Sequence, residues 1–426
     1  MPEHKKGVVP RLRFPEFRNT GPWEEKRLGE ICDVLQGYGF PEKFQGKKNG
    51  KYPFCKVSDI TYAVNKTGGA IARAENYVDD EDIEALRARL VPIGATVFAK
   101  IGEALRLNKR ALVSVECLID NNVVGLRGRD NQTKDRFVFY LSQKIDLNEY
   151  CGGAVPAVNK STLESIKLFV PEIEEQQKIA DCLSSLDEVI ELEAQKLEAL
   201  KTHKKGLMQQ LFPREGETTP HLRFPEFRDA RPWEVKRLSN TLHRISNGLT
   251  IAQVSGSCGV KVTRIETIST GRIDPNKVGY VNTDQDITQY RLRIGDILFS
   301  HINSLTHIGK SAYVDKDYNL YHGMNLLRLS VDAESNDSKF VFYLINTSIF
   351  QFSVRARANQ AINQASINQT ELGQSCVLIP TKKEQQKIAD CLSSLDEVIE
   401  LEAQKLDVLK THKKGLMQQL FPQEVD

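Results

Sequence analysis

The sequence predicts a pseudo-twofold α+β protein in which two globular domains are separated by two long antiparallel coiled-coil helices. Two repeats carry this prediction. Residues 175–213 return as residues 384–422 with 37 of 39 positions identical, and residues 10–28 return as residues 220–238 with 14 of 19 identical. The stretches between these blocks barely resemble each other. A fixed period reflects a repeated structural unit. We therefore interpret the chain as two copies of one frame, formed by the repeated blocks, around two different inserts.

The repeats also predict where the domains begin and end. We expect a first globular domain over 1–170, a first long helix over 171–213, a second globular domain over 214–379 and a second long helix over 380–426. A chain of 426 residues is long enough for each half to bury a core of its own.

The long helices are predicted from an apolar residue at every third or fourth position, which is a heptad seam. A single helix of this length with an apolar stripe needs a partner, so we expect the two copies to pair antiparallel. Glu193 and Glu402 would then lie beside Lys413 and Lys204. The alternative is that each helix packs on its own domain. The seam residues are Ile179, Leu183, Leu186, Ile190, Leu197 and Leu200, and then Ile388, Leu392, Leu395, Ile399, Leu406 and Leu409.

The inserts share a short series of matching elements, which predicts two versions of one α+β domain. Each contains a turn at Ile-Gly before a buried strand, a short helix with the string FVFYL, and a closing strand before the long helix. In chain order within each insert, these elements are expected at 90–101, 135–145 and 163–171, and at 292–302, 338–348 and 372–380.

The composition is that of an ordinary globular protein, with 27% charged residues and a net charge of +2. The eight cysteines form no CxxC pair, so neither a zinc site nor a disulfide framework is expected. Residues 1–10 carry no apolar run and no stretch is long enough to span a bilayer. These features favour a cytoplasmic protein without a membrane segment.

No convincing catalytic constellation is present. Glu16 with Glu24, Glu25 and Lys26 resembles the paired carboxylates and lysine of a metal-dependent nuclease, and the pattern recurs at 225–236. However, the surrounding Leu-Arg-Phe-Pro-Glu-Phe string and the nearby tryptophan are more typical of a strap that anchors the entry to each domain. We therefore expect no metal site and no catalytic residue in this chain.

The first insert carries chemistry that suits DNA. In loop 37–52, lysines that can neutralise phosphates alternate with aromatic residues that can contact bases or sugars. A second basic turn follows the buried strand at 106–110. The candidate DNA-binding residues of this insert are Lys43, Lys47, Lys48, Lys51, Tyr52, Arg106, Lys109 and Arg110.

The second insert carries arginine and amide side chains within loop 354–369, and further polar candidates in loop 303–310 and at His301, near a predicted strand end. Arginine reads guanine, and asparagine or glutamine reads adenine, through paired hydrogen bonds in the major groove. A solvated polar loop is the alternative interpretation. The candidates are His301, Asn303, Lys310, Arg355, Arg357, Asn359, Gln360, Asn363 and Gln364.

The chain resembles the specificity subunits of bacterial type I restriction-modification systems along essentially its whole length. The resemblance rests on LRFPEF followed by W-E-x-K-R-L at Leu12–Leu28 and Leu222–Leu238, and on both copies of the 39-residue block. Many members begin each domain with a Gly-Thr-Pro-Ser-like turn. This chain departs from that pattern at 37–41 and 247–250, which leaves the role of these two turns open.

The resemblance implies a subunit without catalytic activity that directs a larger complex. Each of two target-recognition domains would read one half of a bipartite, asymmetric double-stranded DNA sequence, and the helix pair would set the spacer. Two modification subunits would dock on it and methylate adenine N6 with S-adenosylmethionine. Two restriction subunits would supply the nuclease, which depends on ATP and Mg²⁺. The rival interpretation is a coiled-coil assembly scaffold whose inserts bind proteins.

Overall fold

The computed structural model describes residues 7–66, 68–151, 155–254, 256, 258–361 and 364–422. It divides into two compact units. Unit 1 comprises Met1–Gln195 and Ala403–Asp426, and unit 2 comprises Lys196–Glu402. Both divisions fall inside the long helices, so each unit holds the first part of one long helix and the last part of the other. The four domain boundaries drawn from the sequence stay a prediction.

The first half of the chain contains ten strands and seven α-helices among the residues described. The strands are β1 (Glu24–Arg27), β2 (Cys32–Gln36), β3 (Tyr52–Cys55), β4 (Ala70–Ile71), β5 (Asn76–Val78), β6 (Thr96–Ala99), β7 (Ala111–Val113), β8 (Leu118–Ile119), β9 (Val123–Gly128) and β10 (Lys167–Val170). The helices are α1 (Leu28–Ile31), α2 (Val57–Lys66), α3 (Asp80–Leu86), α4 (Glu103–Arg106), α5 (Asp135–Ser142), α6 (Lys160–Ser165) and α7 (Ile173–Leu211).

The second half repeats this order with changes in the insert. Its strands are β11 (Glu234–Arg237), β12 (Leu242–Asn247), β13 (Val260–Thr263), β14 (Val278–Val281), β15 (Ile297–Phe299), β16 (Ile302–Asn303), β17 (Ser311–Tyr313), β18 (Leu327–Val331), β19 (Asn359–Ala361), β20 (Gln364–Ser366) and β21 (Cys376–Ile379). Its helices are α8 (Ser338–Ile345), α9 (Ser348–Arg357), α10 (Gln369–Gly373) and α11 (Lys382–Leu420).

Both units are built on the same antiparallel sheet. In unit 1 the strand order is β2-β9-β6-β7, with β4 added at the edge, and in unit 2 it is β12-β18-β15-β17. The smaller sheets differ: β5-β3-β8 in unit 1, and β13-β14 with β16-β20-β19 in unit 2. The expectation that two divergent inserts share one α+β core is therefore confirmed, and the divergence lies in the peripheral sheets.

The repeated block at the start of each domain pairs with the closing strand of the same domain. β1 runs antiparallel to β10, with Glu24 opposite Val170, and β11 runs antiparallel to β21, with Glu234 opposite Ile379. The chain thus enters and leaves each insert side by side, and two residues separate the closing strand from the long helix in each unit.

A buried ion pair explains why the strap and the start of the long helix are repeated together. In unit 1, the guanidinium of Arg13 donates two hydrogen bonds to the Glu175 carboxylate, at 2.8 and 2.7 Å. Trp23 Nε1 donates to the same carboxylate at 3.2 Å. The Glu175 side chain is 1% exposed. This carboxylate needs both donors, because burying an unpaired charge is costly.

Unit 2 repeats this network atom for atom. Arg223 donates to Glu384 at 2.7 and 2.8 Å, and Trp233 Nε1 donates at 3.2 Å. The carboxylates of the nuclease-like pattern are used elsewhere: Glu16 pairs with Lys178 at 3.0 Å, and Glu25 pairs with Lys167 at 2.9 Å. The strap interpretation is therefore confirmed by its contacts.

The last residues of each long helix complete the core of a unit. In unit 1, Phe421 at the end of α11 stacks on Phe137, with ring centroids 5.6 Å apart, and meets Trp23 edge-on at 6.0 Å. In unit 2, Phe212 at the end of α7 makes the same contacts with Phe340 and Trp233, at 5.5 and 6.0 Å. The Leu-Phe-Pro ending of the 39-residue block is thus a core element of each unit.

Within each unit the two helix segments run antiparallel. In unit 1, Lys413 pairs with Asp187 and Lys405 with Glu193, both at 2.5 Å. In unit 2, Lys204 pairs with Asp396 at 2.6 Å and Lys196 with Glu402 at 2.5 Å. The antiparallel pairing is confirmed. The expected partners were wrong: Glu193 and Glu402 meet Lys405 and Lys196, whereas Lys413 and Lys204 are held by aspartates.

A tyrosine from each insert fixes the aspartate of these pairs. Tyr140 donates its hydroxyl to Asp187 at 2.8 Å, and Tyr343 donates to Asp396 at 2.7 Å. Each tyrosine ring also lies under the paired lysine, within about 5 Å of its Nζ atom. The tyrosine of the FVFYL string therefore ties each insert to the helix pair.

The predicted seam residues are shielded from solvent in the structure. All twelve seam residues named from the sequence are buried or half-buried. Ile179 and Leu183 belong to the core of unit 1, and Ile388 and Leu392 to that of unit 2. Among the helices of the described residues, none is both long and apolar enough to cross a membrane.

Candidate nucleic-acid interface

The lysine-rich loop 37–52 of unit 1 lies against the acidic N-terminal end of α3. Lys47 Nζ bonds to Asp79 and lies 3.4 Å from Asp82, while Lys51 Nζ lies 2.8 Å from Asp80. The hydrogen bond from Lys47 holds the pKa of Asp79 below its usual range. Two of the four predicted phosphate-binding lysines therefore already have carboxylate partners. Because these pairs are exposed, exchanging them for phosphates costs little.

The other residues of this loop are arranged around aromatic rings. Lys43 Nζ lies 4.6 Å from the centre of the Phe44 ring, and Lys51 Nζ lies 5.0 Å from that of Tyr52. Tyr52 is half-buried at the start of β3. Lys48 is exposed. Of the predicted loop residues, Lys48 thus presents its charge most directly to solvent.

The second basic turn of unit 1 divides into surface and interior residues. Arg106 is exposed at the end of α4, 3.6 Å from Glu103, and Lys109 reaches Asn65 at 3.4 Å. Arg110 is only 5% exposed, lies over the Phe98 ring at 4.3 Å and donates to Asn108 at 3.0 Å. Burial lowers its pKa to about 9. The structure corrects the expectation for Arg110, whose guanidinium stabilises the interior.

Unit 2 brings its predicted residues together on a small sheet. The region 354–369, expected as a polar loop, contains the end of α9 and then the hairpin β19–β20, which pairs with β16. The ladder places Gln360 opposite Ala365, and Ala365 opposite Asn303. Asn359, Gln360 and Gln364 are exposed. Asn363 lies outside the described residues.

Three of the remaining candidates of unit 2 have local partners: Asn303, Lys310 and Arg357. Asn303 bonds to Ser300 and Ser304 through its amide, and Lys310 donates to the Ser269 carbonyl at 3.0 Å. Arg357 ends α9 and lies 3.4 Å from the Ser375 hydroxyl. Arg355 is exposed on α9, one turn before the hairpin. The hairpin amides and Arg355 are therefore the candidates with the freest side chains.

Unit 1 has a backbone contact equivalent to the one that joins the residue after β20 to the residue before β16 in unit 2. Val158 N donates to the Lys100 carbonyl at 2.9 Å, as Ile367 N donates to that of His301 at 2.9 Å. Lys100 thus occupies the position of His301, although we did not select it from the sequence. The alignment of IGATVFAKI with IGDILFSHI contains the signal that would have found it.

The two glycine turns that depart from the family pattern are equivalent in the structure. A Cβ atom on Gly37 would lie 1.8 Å from the Asp120 carbonyl oxygen, and one on Gly248 would lie 1.9 Å from that of Gly323. The next residues, Tyr38 and Leu249, donate backbone hydrogen bonds at 2.9 and 2.8 Å to the carbonyls of Ile119 and His322. These glycines allow close backbone approach and are structural.

Two histidines of unit 2, His301 and His322, are neutral at neutral pH because burial lowers their pKa values. Burial lowers the pKa of His301 to about 4, and burial is also the main reason that the pKa of His322 is lowered to about 4. His322 is fully buried, and its Nε2 lies 3.0 Å from the Leu326 carbonyl. A neutral imidazole at His301 can contact a base edge but does not attract phosphate at neutral pH.

We expect unit 2 to lose stability in mild acid. The unfolded chain protonates its histidines below about pH 6.5, whereas folded His301 and His322 take up protons only near pH 4, so acid favours unfolding across this window. Thermal unfolding followed by Trp233 fluorescence at pH 7.5, 6 and 5 measures the effect. H301N and H322Q should each flatten the decline; an equal decline in both variants would contradict the assignment.

No group of three or more residues suited to binding a metal ion occurs among the residues described. The candidate interface therefore consists of two different surfaces. In unit 1 it is a lysine and aromatic loop, and in unit 2 it is an amide-bearing hairpin. The loop follows β2 in unit 1 and the hairpin follows α9 in unit 2, so the two surfaces occupy different positions on the repeated frame.

Comparisons with known proteins agree with this arrangement. The family model for the type I restriction modification DNA specificity domain matches twice, at residues 20–202 and 231–411. A crystal structure of the type I restriction-modification system S subunit from M. genitalium has the same fold, with a TM-score of 0.61 at 14% identity over 98% of this chain and 100% of that one.

Curated relatives include two proteins of Methanocaldococcus jannaschii. The type I restriction enzyme MjaVIII specificity subunit is 25% identical over 422 residues, covering 96% of this chain and 93% of the relative. The MjaX specificity subunit is 44% identical over 200 residues, and this match spans 45% of the chain and 46% of that relative. The two family matches cover most of the chain, which therefore belongs to the type I restriction modification DNA specificity family.

Proposed function

We propose that this chain is the DNA-recognition subunit of a type I restriction-modification complex. Each unit would read one half of a bipartite, asymmetric double-stranded target, and the helix pair would set the spacer between the halves. The observation that carries the proposal is the repeat itself: two equivalent frames carry two different sets of exposed side chains. Identical frames fit identical partner subunits, whereas different inserts fit different half-sites.

We further propose the composition of the complex. Two modification subunits would dock on the repeated frame and use S-adenosylmethionine to methylate adenines. Two restriction subunits would supply the nuclease, which requires ATP and Mg²⁺. This chain would contribute recognition and no catalytic residue. A cytoplasmic location fits its eight free cysteines, since a reducing compartment keeps such thiols reduced.

The unit 2 hairpin is expected to read one half-site. A two-stranded β-ribbon fits the major groove, where a paired amide contact contributes about 1–3 kcal/mol of discrimination. Gln360→Ala with Gln364→Ala should therefore relax base preference in one half-site by about tenfold or more. The measurement is adenine methylation of a randomised target library by the chain assembled with its modification subunits.

Gln285→Ala is the matched control, because Gln285 is also exposed in unit 2 but lies in a different loop. It should leave both half-sites unchanged. Equal loss of preference in both half-sites after the hairpin substitutions would rule out modular reading by unit 2.

The loop of unit 1 is expected to contact the DNA backbone. Reversing the exposed charge of Lys48 with Lys48→Glu should weaken binding and lower the slope of log affinity against log salt by about one. Lys47→Glu is less informative because it would also place three carboxylates together with Asp79 and Asp82. Lys160→Glu, on exposed α6, is the control. An unchanged salt slope for Lys48→Glu would remove this lysine from the interface.

A further inference from the structure

Unit 2 contains a large basic cleft that is separate from the β19–β20 hairpin and shares only Arg355 with the DNA-binding candidates. It has a volume of about 720 Å³ and lies between the last turns of α7 and the start of α9. Five cationic side chains line it: Lys201, Lys204, Lys205, Arg214 and Arg355. The lining includes a single carboxylate, that of Glu215. The cleft therefore carries a concentrated positive charge in a chain whose net charge is only +2.

Most of this charge is not neutralised within the protein. Lys204 is engaged by Asp396 at 2.6 Å, and Lys201 has a surface partner in Glu198 at 2.7 Å. Lys205, Arg214 and Arg355 are exposed, and no carboxylate of the described residues pairs with any of the three. Three cations directed at one cleft without acidic partners favour an anionic ligand.

The cleft is also apolar at its base. Met208, Phe212, Pro213 and Ile349 line it, and the same Phe212, Pro213 and Ile349 line an adjoining groove of about 370 Å³. That groove is closed by Phe350, Val377 and Leu378, with Val235 at 64% exposure beside them. The combined surface has an apolar floor and a basic rim.

Helix α9 continues this pattern along one face. Ile349, Phe352 and Arg355 follow each other at a spacing of three residues, which places them on the same side of the helix. Ile349 is 41% exposed and Phe352 is 70% exposed, which is unusual for an aromatic residue without a partner. This face of α9 therefore presents two exposed apolar side chains followed by a cation. Such a face suits a ligand that carries both apolar groups and negative charge.

We propose that this surface binds an acidic amphipathic peptide segment of a partner protein. Such a segment supplies carboxylates for the basic rim and apolar side chains for the floor, as in other helix-in-groove complexes. A DNA backbone would satisfy the cations but has no apolar groups to cover Ile349, Phe352 and the groove beneath them. The charge and the apolar floor together therefore favour a polypeptide.

The groove at the matching place in unit 1 differs from the unit 2 surface among the residues described, although the frame is repeated. A groove of about 270 Å³ lies at the corresponding end of α11 in unit 1, and its lining combines the carboxylates of Asp146 and Glu149 with Lys144 and Lys167. A 3₁₀ turn at Leu147–Tyr150 follows α5 there, where α9 follows α8 in unit 2. The two carboxylates offset the two lysines, so this groove lacks the excess of positive charge that would favour an acidic segment. The surface thus binds one such segment per chain, and it does not depend on the proposed reading of DNA.

Fluorescence anisotropy with the full chain tests the proposal. The probe is a labelled peptide of about 15 residues in which glutamate and leucine alternate at helical spacing. We expect saturable binding of one peptide per chain. Lys201→Glu, Lys205→Glu and Arg355→Glu combined should weaken it by about tenfold or more, because the rim reverses its charge. A peptide with serine in place of leucine should bind the unaltered chain at least as weakly as the leucine peptide binds this triple variant.

The repeat supplies a matched control. Lys410→Glu with Lys414→Glu changes the equivalent lysines of the identical helix end in unit 1 and should leave peptide binding unchanged. Unchanged far-ultraviolet circular dichroism establishes that each variant is folded. Equal weakening in both sets of variants, or no saturable binding, would overturn the proposal. A DNA duplex could also compete with the peptide for the chain. If the substitutions in unit 2 abolish this competition and those in unit 1 do not, the surface contacts a DNA backbone and the proposal is overturned.

Discussion

Glu175→Ala is expected to destabilise unit 1 by about 3–5 kcal/mol, since it leaves a buried charge without its partner. The Arg13 side chain is 6% exposed and makes both of its short carboxylate contacts with Glu175. Trp23 Nε1 loses its acceptor at the same time. Urea unfolding followed by Trp23 fluorescence in a Trp233→Phe background measures the loss for unit 1.

The size of the effect depends on charge burial, and two variants test this point. Glu174→Ala removes an exposed carboxylate one residue earlier and should change stability by less than about 0.5 kcal/mol. Arg13→Met with Glu175→Leu removes both charges and should recover most of the loss. If the double variant is as unstable as Glu175→Ala, the uncompensated charge is not the cause.

Phe421→Ala should cost about 3–5 kcal/mol in unit 1, the usual range for removing a buried phenylalanine. Phe421 is 2% exposed and fills the space between Trp23 and Phe137. The residue lies almost 400 positions after Trp23 in the sequence, so the result would establish that the end of α11 is part of the first unit's core. Urea unfolding in the same Trp233→Phe background provides the measurement.

The repeat again provides controls. Gln418→Ala, exposed on the last turn of the same helix, should have little effect. Phe212→Ala should destabilise unit 2, because Phe212 makes the same contacts with Trp233 and Phe340. Loss of stability in unit 2, and not in unit 1, after Phe421→Ala would contradict the structure.

Sequence reasoning succeeded where local pattern and repetition determine structure. The heptad seam predicted two long helices, which the structure contains as α7 and α11, and the Ile-Gly turns and FVFYL strings predicted β6, β15, α5 and α8. The strap was also recognised from its context. The predicted partners of Glu193 and Glu402 were wrong, because several lysines lie within reach along an antiparallel helix pair. The tyrosine of each insert holds Lys413 and Lys204 beside aspartates instead.

The candidate interface was harder to predict because exposure is a tertiary property. Arg110 lies in a basic turn, yet Phe98 and Asn108 hold it inside. Asp79 and Asp80, about thirty residues further along the chain, neutralise Lys47 and Lys51. Helix α9 was missed within a polar region, although Phe350 and Val354, four residues apart and both buried, carry its signal.

The central claim is that two different recognition surfaces on one repeated frame specify an asymmetric DNA target. Mapping methylated adenines across a genome that expresses this chain with its modification subunits tests it most directly. The account predicts one bipartite motif with two unlike halves at a fixed spacing, and a motif with one relaxed half in the Gln360→Ala, Gln364→Ala variant. A palindromic or continuous motif, or no motif that depends on this chain, would contradict it and favour an assembly scaffold.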